Sequence, residues 1–278
     1  MRAFSGFILA ALLMATPAIA APSTPERVDI PRPSGALHAL LYKPDGNGPF
    51  PTVIALHDCS GLTGHDGRLL PRYHDWMGQL LKGGNAVLFP DSYGSRNVGA
   101  QCHAKERKVL ARRERVADVL TSRQWLLEQP WVSREHIGLV GWANGASALL
   151  WAVRPQLAPH MLSPDFRSAV AFYPDCRMSA RLGWSTRVPT LLMIGANDET
   201  SSPAACREMI EDARGRSALA RIVVYPGADH AFDHPNDPRH ALAAAPGAAL
   251  PASARAARTW DHEAHANSEK RLMEWLAR

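Results

Sequence analysis

The stretch GLVGWANGASALL, residues 138–150, reads as a buried strand that runs into a tight glycine turn and then a helix. Gly141 and Gly145 frame that turn at the spacing of a G-x-S-x-G elbow, in which a sharp strand-to-helix turn lifts a nucleophile clear of the sheet. The residue at the centre of the frame is Ala143, which has no nucleophilic atom. Two questions follow: whether the flanking chain builds the rest of such a site, and what the site does without a nucleophile.

Outward from the elbow, short apolar runs alternate with amphipathic stretches. RVDI and LHALLYKP, broken by PRPSGA, predict an opening hairpin. PTVIALH (51–57) is a continuous apolar run, as a strand covered on both faces requires. RYHDWMGQLLKGG (72–84) predicts a helix stopped by paired glycines, and NAVLFPDS (85–92) the next strand. From about Lys105 to Glu128, the spacing of Val109, Val116, Leu120 and Leu127 predicts a helix closed by Pro130. HIGLVG (136–141), SAVAFYP (168–174), TLLMIG (190–195) and RIVVYPG (221–227) read as further strands. Helices are expected from Asn144, over PAACREMIEDAR (203–214) and over ANSEKRLMEWLAR (266–278). The Ala/Pro-rich RHALAAAPGAALPASARAAR (239–258) reads as a mobile loop between the last strand and the last helix. This alternation predicts an α/β fold, with a mostly parallel central sheet and helices on both faces. No repeat or linker interrupts it, so a single domain is expected over residues 21–278.

With 278 residues, of which 46% are hydrophobic and 21% charged, the chain can bury a substantial core. The net charge of +5 is dispersed. Its densest run, AKERKVLARRER (104–115), interleaves acids and aliphatics at helical spacing, so it reads as the solvated face of a helix and not as a nucleic-acid surface. Met1-Arg2, the apolar FSGFILAALLMA (4–15), and Ala18 and Ala20 at the small positions of a cleavage site predict a signal peptide over residues 1–20. The expectation is export, to a bacterial periplasm or beyond, of a mature chain without a membrane span. Cys59, Cys102, Cys176 and Cys206 would then lie in an oxidising compartment, where they allow three pairings. His57, Cys59, Cys102 and His103 lack zinc-type spacing, and His234, His240, His262 and His265 read as surface residues. No metal and no cofactor are expected.

In open α/β sheets, reactive groups gather just past the carboxyl ends of the strands. Those places hold HDCSG (57–61), DSYGSRNVG (91–99), the elbow, ANDETSSP (196–203) and ADHAFD (228–233). Asp198 and His230 follow Ala143 in the order nucleophile, acid, base, which is the order of the α/β-hydrolase arrangement. There the histidine takes the nucleophile's proton and returns it to the leaving group, while the aspartate orients the ring and stabilises its cation. Each residue also has a plain reading: Asp198 as a turn former, His230 as an exposed loop residue. The two together, in order on successive strand ends, favour the site.

HDCSG, DSYGSR, GWANGA (141–146) and FYPDC (172–176) resemble the dienelactone hydrolase family of α/β-hydrolases. The likeness is greatest to exported members with an H-G-C-x-G turn, a D-S-F/Y-G-x-R loop, a G-W-S-N-G-G elbow and an F-Y-P-x-C strand, and it runs from about Pro51 to Asp233. The resemblance implies an α/β-hydrolase fold and hydrolysis of small-molecule carboxylic esters or lactones by a Ser-His-Asp mechanism. It makes Asp198 the acid, His230 the base and Ala143 the nucleophile position. The backbone N–H groups of Asn144 and Cys59 become the oxyanion donors. Arg96 matches an arginine that faces a substrate carboxylate in some members. Of the three cysteine pairings, Cys59 with Cys102 and Cys176 with Cys206 are preferred, since each joins loops at one end of the sheet.

Three positions depart from the family pattern: Asp58 and Ala146 each replace a glycine, and Ala143 replaces the nucleophile. Asp58 sets a carboxylate beside the oxyanion donors unless its side chain turns away. Trp142 reads as packing, His57 as a structural residue of its turn, and Ser147 as pointing away from the elbow centre. Three accounts of Ala143 stand: a deliberate alteration of an active hydrolase, a natural pseudoenzyme that keeps the pocket for binding, or slow hydrolysis by water that Asp198 and His230 activate.

Overall fold

The parallel strands explain themselves by burial. In the computed structural model, which describes residues 24–160, 164–235 and 252–278, strands β4 (Ala86–Pro90), β6 (Ser168–Phe172) and β7 (Thr190–Gly195) are buried along their whole lengths. Their continuous apolar runs are what a sheet covered on both faces demands.

The remaining strands are β1 (Glu26–Arg32), β2 (Gly35–Tyr42), β3 (Phe50–Leu56), β5 (Val132–Trp142) and β8 (Ala220–Tyr225). They form one eight-stranded sheet in the order β1-β2-β4-β3-β5-β6-β7-β8. β1 and β2 are an antiparallel hairpin, and β2 runs antiparallel to β4. All other neighbours are parallel. The strand order reverses about β3, so the chain ends of β3, β4, β5 and β7 converge on one edge of the molecule, where crevices form in such sheets.

Helices cover both faces: α1 (Pro71–Lys82), α2 (Glu114–Leu127), α3 (Asn144–Ala152), α4 (Arg177–Arg181), α5 (Pro203–Asp212) and α6 (Ala252–Leu276). α1 starts with Pro71 in its first turn and stops at Gly83, with Gly84 at φ 78°. It buries Tyr73, Trp76, Met77 and Leu80.

Three boundaries differ from the sequence reading. α2 begins at Glu114, not near Lys105. Side chains satisfy the backbone ahead of it: Gln101 Oε1 accepts from the N–H groups of Lys108 and Val109, and Glu114 Oε2 accepts from that of Leu110. Such bonds compete with the helical ladder. The run 104–115 is therefore mostly turn, and its Arg115 is fully buried and not part of a solvated face. β5 begins at Val132, opposite Phe50. α6 begins at Ala252, so the end of the Ala/Pro-rich stretch is helical, consistent with the high helix propensity of alanine and arginine. The signal peptide over 1–20 and the stretch 239–251 lie outside the described residues. Among the described residues no helix is long and apolar enough to cross a membrane.

Candidate active site

The elbow is a strained turn held by close backbone packing. Ala143, between β5 and α3, has φ 45° and ψ −107°, a conformation that residues with a side chain rarely adopt. A Cβ on Gly145 would overlap the carbonyl oxygens of Leu56 and His57, and one on Gly141 would overlap the backbone of Gly145 and Ala146. Both glycines are thus required for α3 to cross so near β3. Ala143 N–H donates to the carbonyl of Phe172 at 3.0 Å. Ser147 Oγ donates to the Ala143 carbonyl at 3.1 Å and accepts from Asp175 N–H, so it is held one turn along and does not replace the missing nucleophile.

Past β7 and β8, the structure brings Asp198 and His230 together. His230 Nδ1 lies 2.8 Å from Asp198 Oδ2. The Asp198 side chain has no accessible surface, while that of His230 keeps 26%, so the ring can meet a ligand. The second carboxylate oxygen, Oδ1, accepts from the N–H groups of Thr200 and Ser201 at 2.9 and 2.7 Å, which fixes the acid's orientation. With Nδ1–H given to Asp198, Nε2 is the nitrogen left to accept a proton. The Tyr173 ring packs edge-on against the imidazole, centroids 4.7 Å apart.

On the opposite side, the HDCSG turn is tied down from several directions. Cys59 is bonded to Cys102, and its carbonyl accepts from Gln101 N–H at 2.7 Å. The Asp58 side chain bridges this loop and α1: Oδ2 accepts from Arg72 Nη1 at 2.7 Å and Oδ1 from the loop's own Ser60 N–H at 2.7 Å. Burial works against the charged carboxylate, yet Arg72 and the Ser60 N–H hold it below the usual carboxylate range. His57 is fully buried, and Nδ1 meets the carbonyl of Asp58 at 2.7 Å. Burial first, and the nearby Arg115 guanidinium second, push its pKa down to about 3, so the ring is neutral.

Sequence reasoning missed two buried charges. Arg115 donates from Nη1 to Asn144 Oδ1 at 2.8 Å and from Nη2 to the His57 carbonyl at 2.6 Å, linking the elbow helix to the HDCSG turn. Tyr93 OH, at 3.2 Å, is a second donor to Asn144 Oδ1. Asp233 is wholly buried and accepts from Trp76 Nε1 at 2.7 Å, Trp142 Nε1 at 2.9 Å and Tyr173 OH at 2.6 Å. It ties the His230 loop to α1, β5 and β6, and Trp142 serves packing and this bond together. The available signal was composition: a tryptophan and a tyrosine at strand ends and a second tryptophan in α1, in a chain with an aspartate three residues beyond its histidine.

Arg96 sits differently from the expectation. Its Nη1 and Nη2 both bond Asp118, each at 2.8 Å, and Nη1 also meets the Ser92 carbonyl. Asp118 is buried and binds Arg32 as well. The guanidinium holds the loop after β4 to α2, a bidentate pairing that satisfies the ends of its fork without a substrate carboxylate. Cys176 is bonded to Cys206, joining α4 to α5. Beside the HDCSG turn lies a cavity of about 400 Å³, lined by Ser60, Leu62, Leu70, Asp91, Tyr93 and Val98. A larger one of about 680 Å³ lies between β2 and α1, and neither cavity is lined by Ala143, Asp198 or His230.

The dienelactone hydrolase family model matches residues 37–278. The chain belongs to the dienelactone hydrolase family. It is 23% identical over 237 residues to the cocaine esterase of Rhodococcus sp. (strain MB1 Bresler), covering 77% of this chain and only 39% of that protein. It is 27% identical over 225 residues to a Yersinia pestis protein named as a carboxymethylenebutenolidase, covering 73% and 77% of the two chains. Among solved structures it is similar to the dienelactone hydrolase of Anabaena variabilis, with TM-score 0.66 and 17% identity over 92% of this chain and 98% of that one. A dienelactone hydrolase-like promiscuous phosphotriesterase from metagenomic libraries gives TM-score 0.64 and 18% identity, covering 91% and 99%. At those identities the structural likeness speaks for the fold: this is a dienelactone hydrolase-type α/β-hydrolase scaffold.

Proposed function

We propose that this chain is an exported, single-domain member of the dienelactone hydrolase family that has kept its base and acid and lost its nucleophile. Its ligands are small-molecule carboxylic esters or lactones. His230 is the base, Asp198 the acid that orients it, and Ala143 the vacated nucleophile position. The N–H groups of Asn144 and Cys59 are the oxyanion donors. The observation that carries this reading is the elbow itself: an alanine at φ 45° between two sterically required glycines, with the His230–Asp198 pair at 2.8 Å.

Without a hydroxyl or thiol at position 143 no acyl-enzyme forms. Removal of such a nucleophile lowers turnover by about 10⁶, roughly 8 kcal/mol of barrier. A residual acceleration of ~10³–10⁴ over water, from binding and the oxyanion donors, is compatible with the alanine. The two disulfides agree with an oxidising destination, as a cleaved signal peptide requires. The second reading, a binding protein that takes esters without turning them over, draws on the apolar cavity beside the HDCSG turn.

The deciding experiment compares the protein with its Ala143→Ser variant on activated short-chain esters. The expected result is hydrolysis restored by several orders of magnitude in the serine variant. A serine variant no faster than the parent rejects the proposed elbow site. Equal, high activity in both shows that the nucleophile lies elsewhere.

A further inference from the structure

We infer that Asp75 of α1 with His265 and Glu269 of α6 forms a zinc-binding site that clips the C-terminal helix to the body of the protein. His265 and Glu269 are four residues apart, so they project from the same face of α6. Asp75 comes up from the facing helix. His265 Nε2 lies 3.2 Å from Asp75 Oδ2 and 3.1 Å from Glu269 Oε1, and the three ligand atoms fall within 4.8 Å of one another.

The three side chains form an ion-pair cluster, which a cation would replace with shared ligation once the imidazole proton is displaced. Although each oxygen is near Nε2, His265 Nε2 and Asp75 Oδ2 are both buried without a hydrogen-bond partner, because the oxygens sit off the axis of the ring nitrogen. A metal on that axis explains the offset. With ligand bonds of about 2.0–2.1 Å, the edge of a zinc tetrahedron is about 3.3 Å, close to both separations, and each oxygen lies to the side of the nitrogen's lone pair. The donor set, one imidazole and two carboxylates, suits zinc, and three protein ligands leave a fourth position for water. The side chains of His265, Asp75 and Glu269 keep 19%, 31% and 29% of their accessible surface, so the cluster lies near the surface although His265 Nε2 and Asp75 Oδ2 are covered. Trp76 packs on the His265 ring, centroids 5.7 Å apart, and limits its swing. The site is separate from the elbow and needs no reading of it.

The test is calorimetric titration of the chelator-treated, purified protein with Zn²⁺ alone. One saturable site is expected, with binding lost in His265→Gln and in Glu269→Gln and retained in His74→Gln and His262→Gln, two exposed histidines nearby. Binding must displace any proton on Nε2, so the heat should vary with the ionisation enthalpy of the buffer. Zn²⁺ should also raise the melting temperature of the parent and of neither ligand variant. Absence of saturable binding overturns the inference, as does binding that survives both ligand substitutions or vanishes with His74 or His262. The Glu269→Gln variant, altered at a half-exposed position, guards against a misfolded His265→Gln protein, and circular dichroism confirms that each is folded.

Discussion

Arg115 Nη1 donates to Asn144 Oδ1 across 2.8 Å, from a side chain with no accessible surface, and the arginine's other acceptor is the His57 carbonyl. Both acceptors are neutral oxygens. A buried guanidinium without a bonded carboxylate is costly, and under the proposed role of Asn144 N–H as an oxyanion donor its field would act on the oxyanion. In the Ala143→Ser background, Arg115→Met should lower kcat by about tenfold or more, near 1.4 kcal/mol of barrier, with little change in KM. Steady-state kinetics on one activated ester would show it. An unchanged kcat with only a lower melting temperature would make Arg115 purely structural.

Gly145 is where α3 passes nearest β3. Gly145→Ala would press a methyl group into the backbone of Leu56 and His57, which cannot retreat without breaking the sheet. The expected loss is about 3 kcal/mol or more, measured by urea unfolding. A variant within about 0.5 kcal/mol of the parent would mean that the elbow is looser than its geometry indicates.

Asp233 joins Trp76, Trp142 and Tyr173, with Arg72 Nε 3.7 Å away. Asp233→Asn keeps the shape but removes the charge and turns an NH₂ group toward donors. About 3–5 kcal/mol of stability should be lost. Because the loop also carries His230, near-ultraviolet circular dichroism of the tryptophans should change with it. Full stability in Asp233→Asn would refute the buried carboxylate's role.

His57 gives a pH signature. Its folded pKa, about 3, lies below the unfolded value near 6.5, so the unfolded chain binds the proton more readily. Its contribution to stability is full above pH ~6.5 and is lost progressively as pH falls from there toward 3. Unfolding free energy should drop across that window in the parent. The slope should be shallower in His57→Gln, whatever its absolute stability. Parallel pH profiles for the two proteins would contradict a buried neutral imidazole.

Legibility followed the range of the forces involved. The parallel strands were readable because burial on both faces writes a continuous apolar run, and the elbow because only glycine fits at 141 and 145. The order of Ala143, Asp198 and His230, past the ends of β5, β7 and β8, was likewise a property of chain and topology. What sequence misplaced was local competition. Side-chain bonds from Gln101 and Glu114 unwound the start of α2, and the end of the alanine-rich stretch, from Ala252, joined α6.

The sequence by itself determined the alternation that makes an α/β sheet, the frame of the elbow and the absence of a nucleophile within it. Only the tertiary structure decided which charges lie inside. Arg115 read as a solvated residue in a basic run, and Arg96 as a ligand for substrate. Folding buries the first against Asn144 and locks the second to Asp118. Partners for buried charges come from segments far apart in the chain, and no local pattern records them. The same holds for Asp75, His265 and Glu269, whose shared geometry exists only because α6 packs on α1.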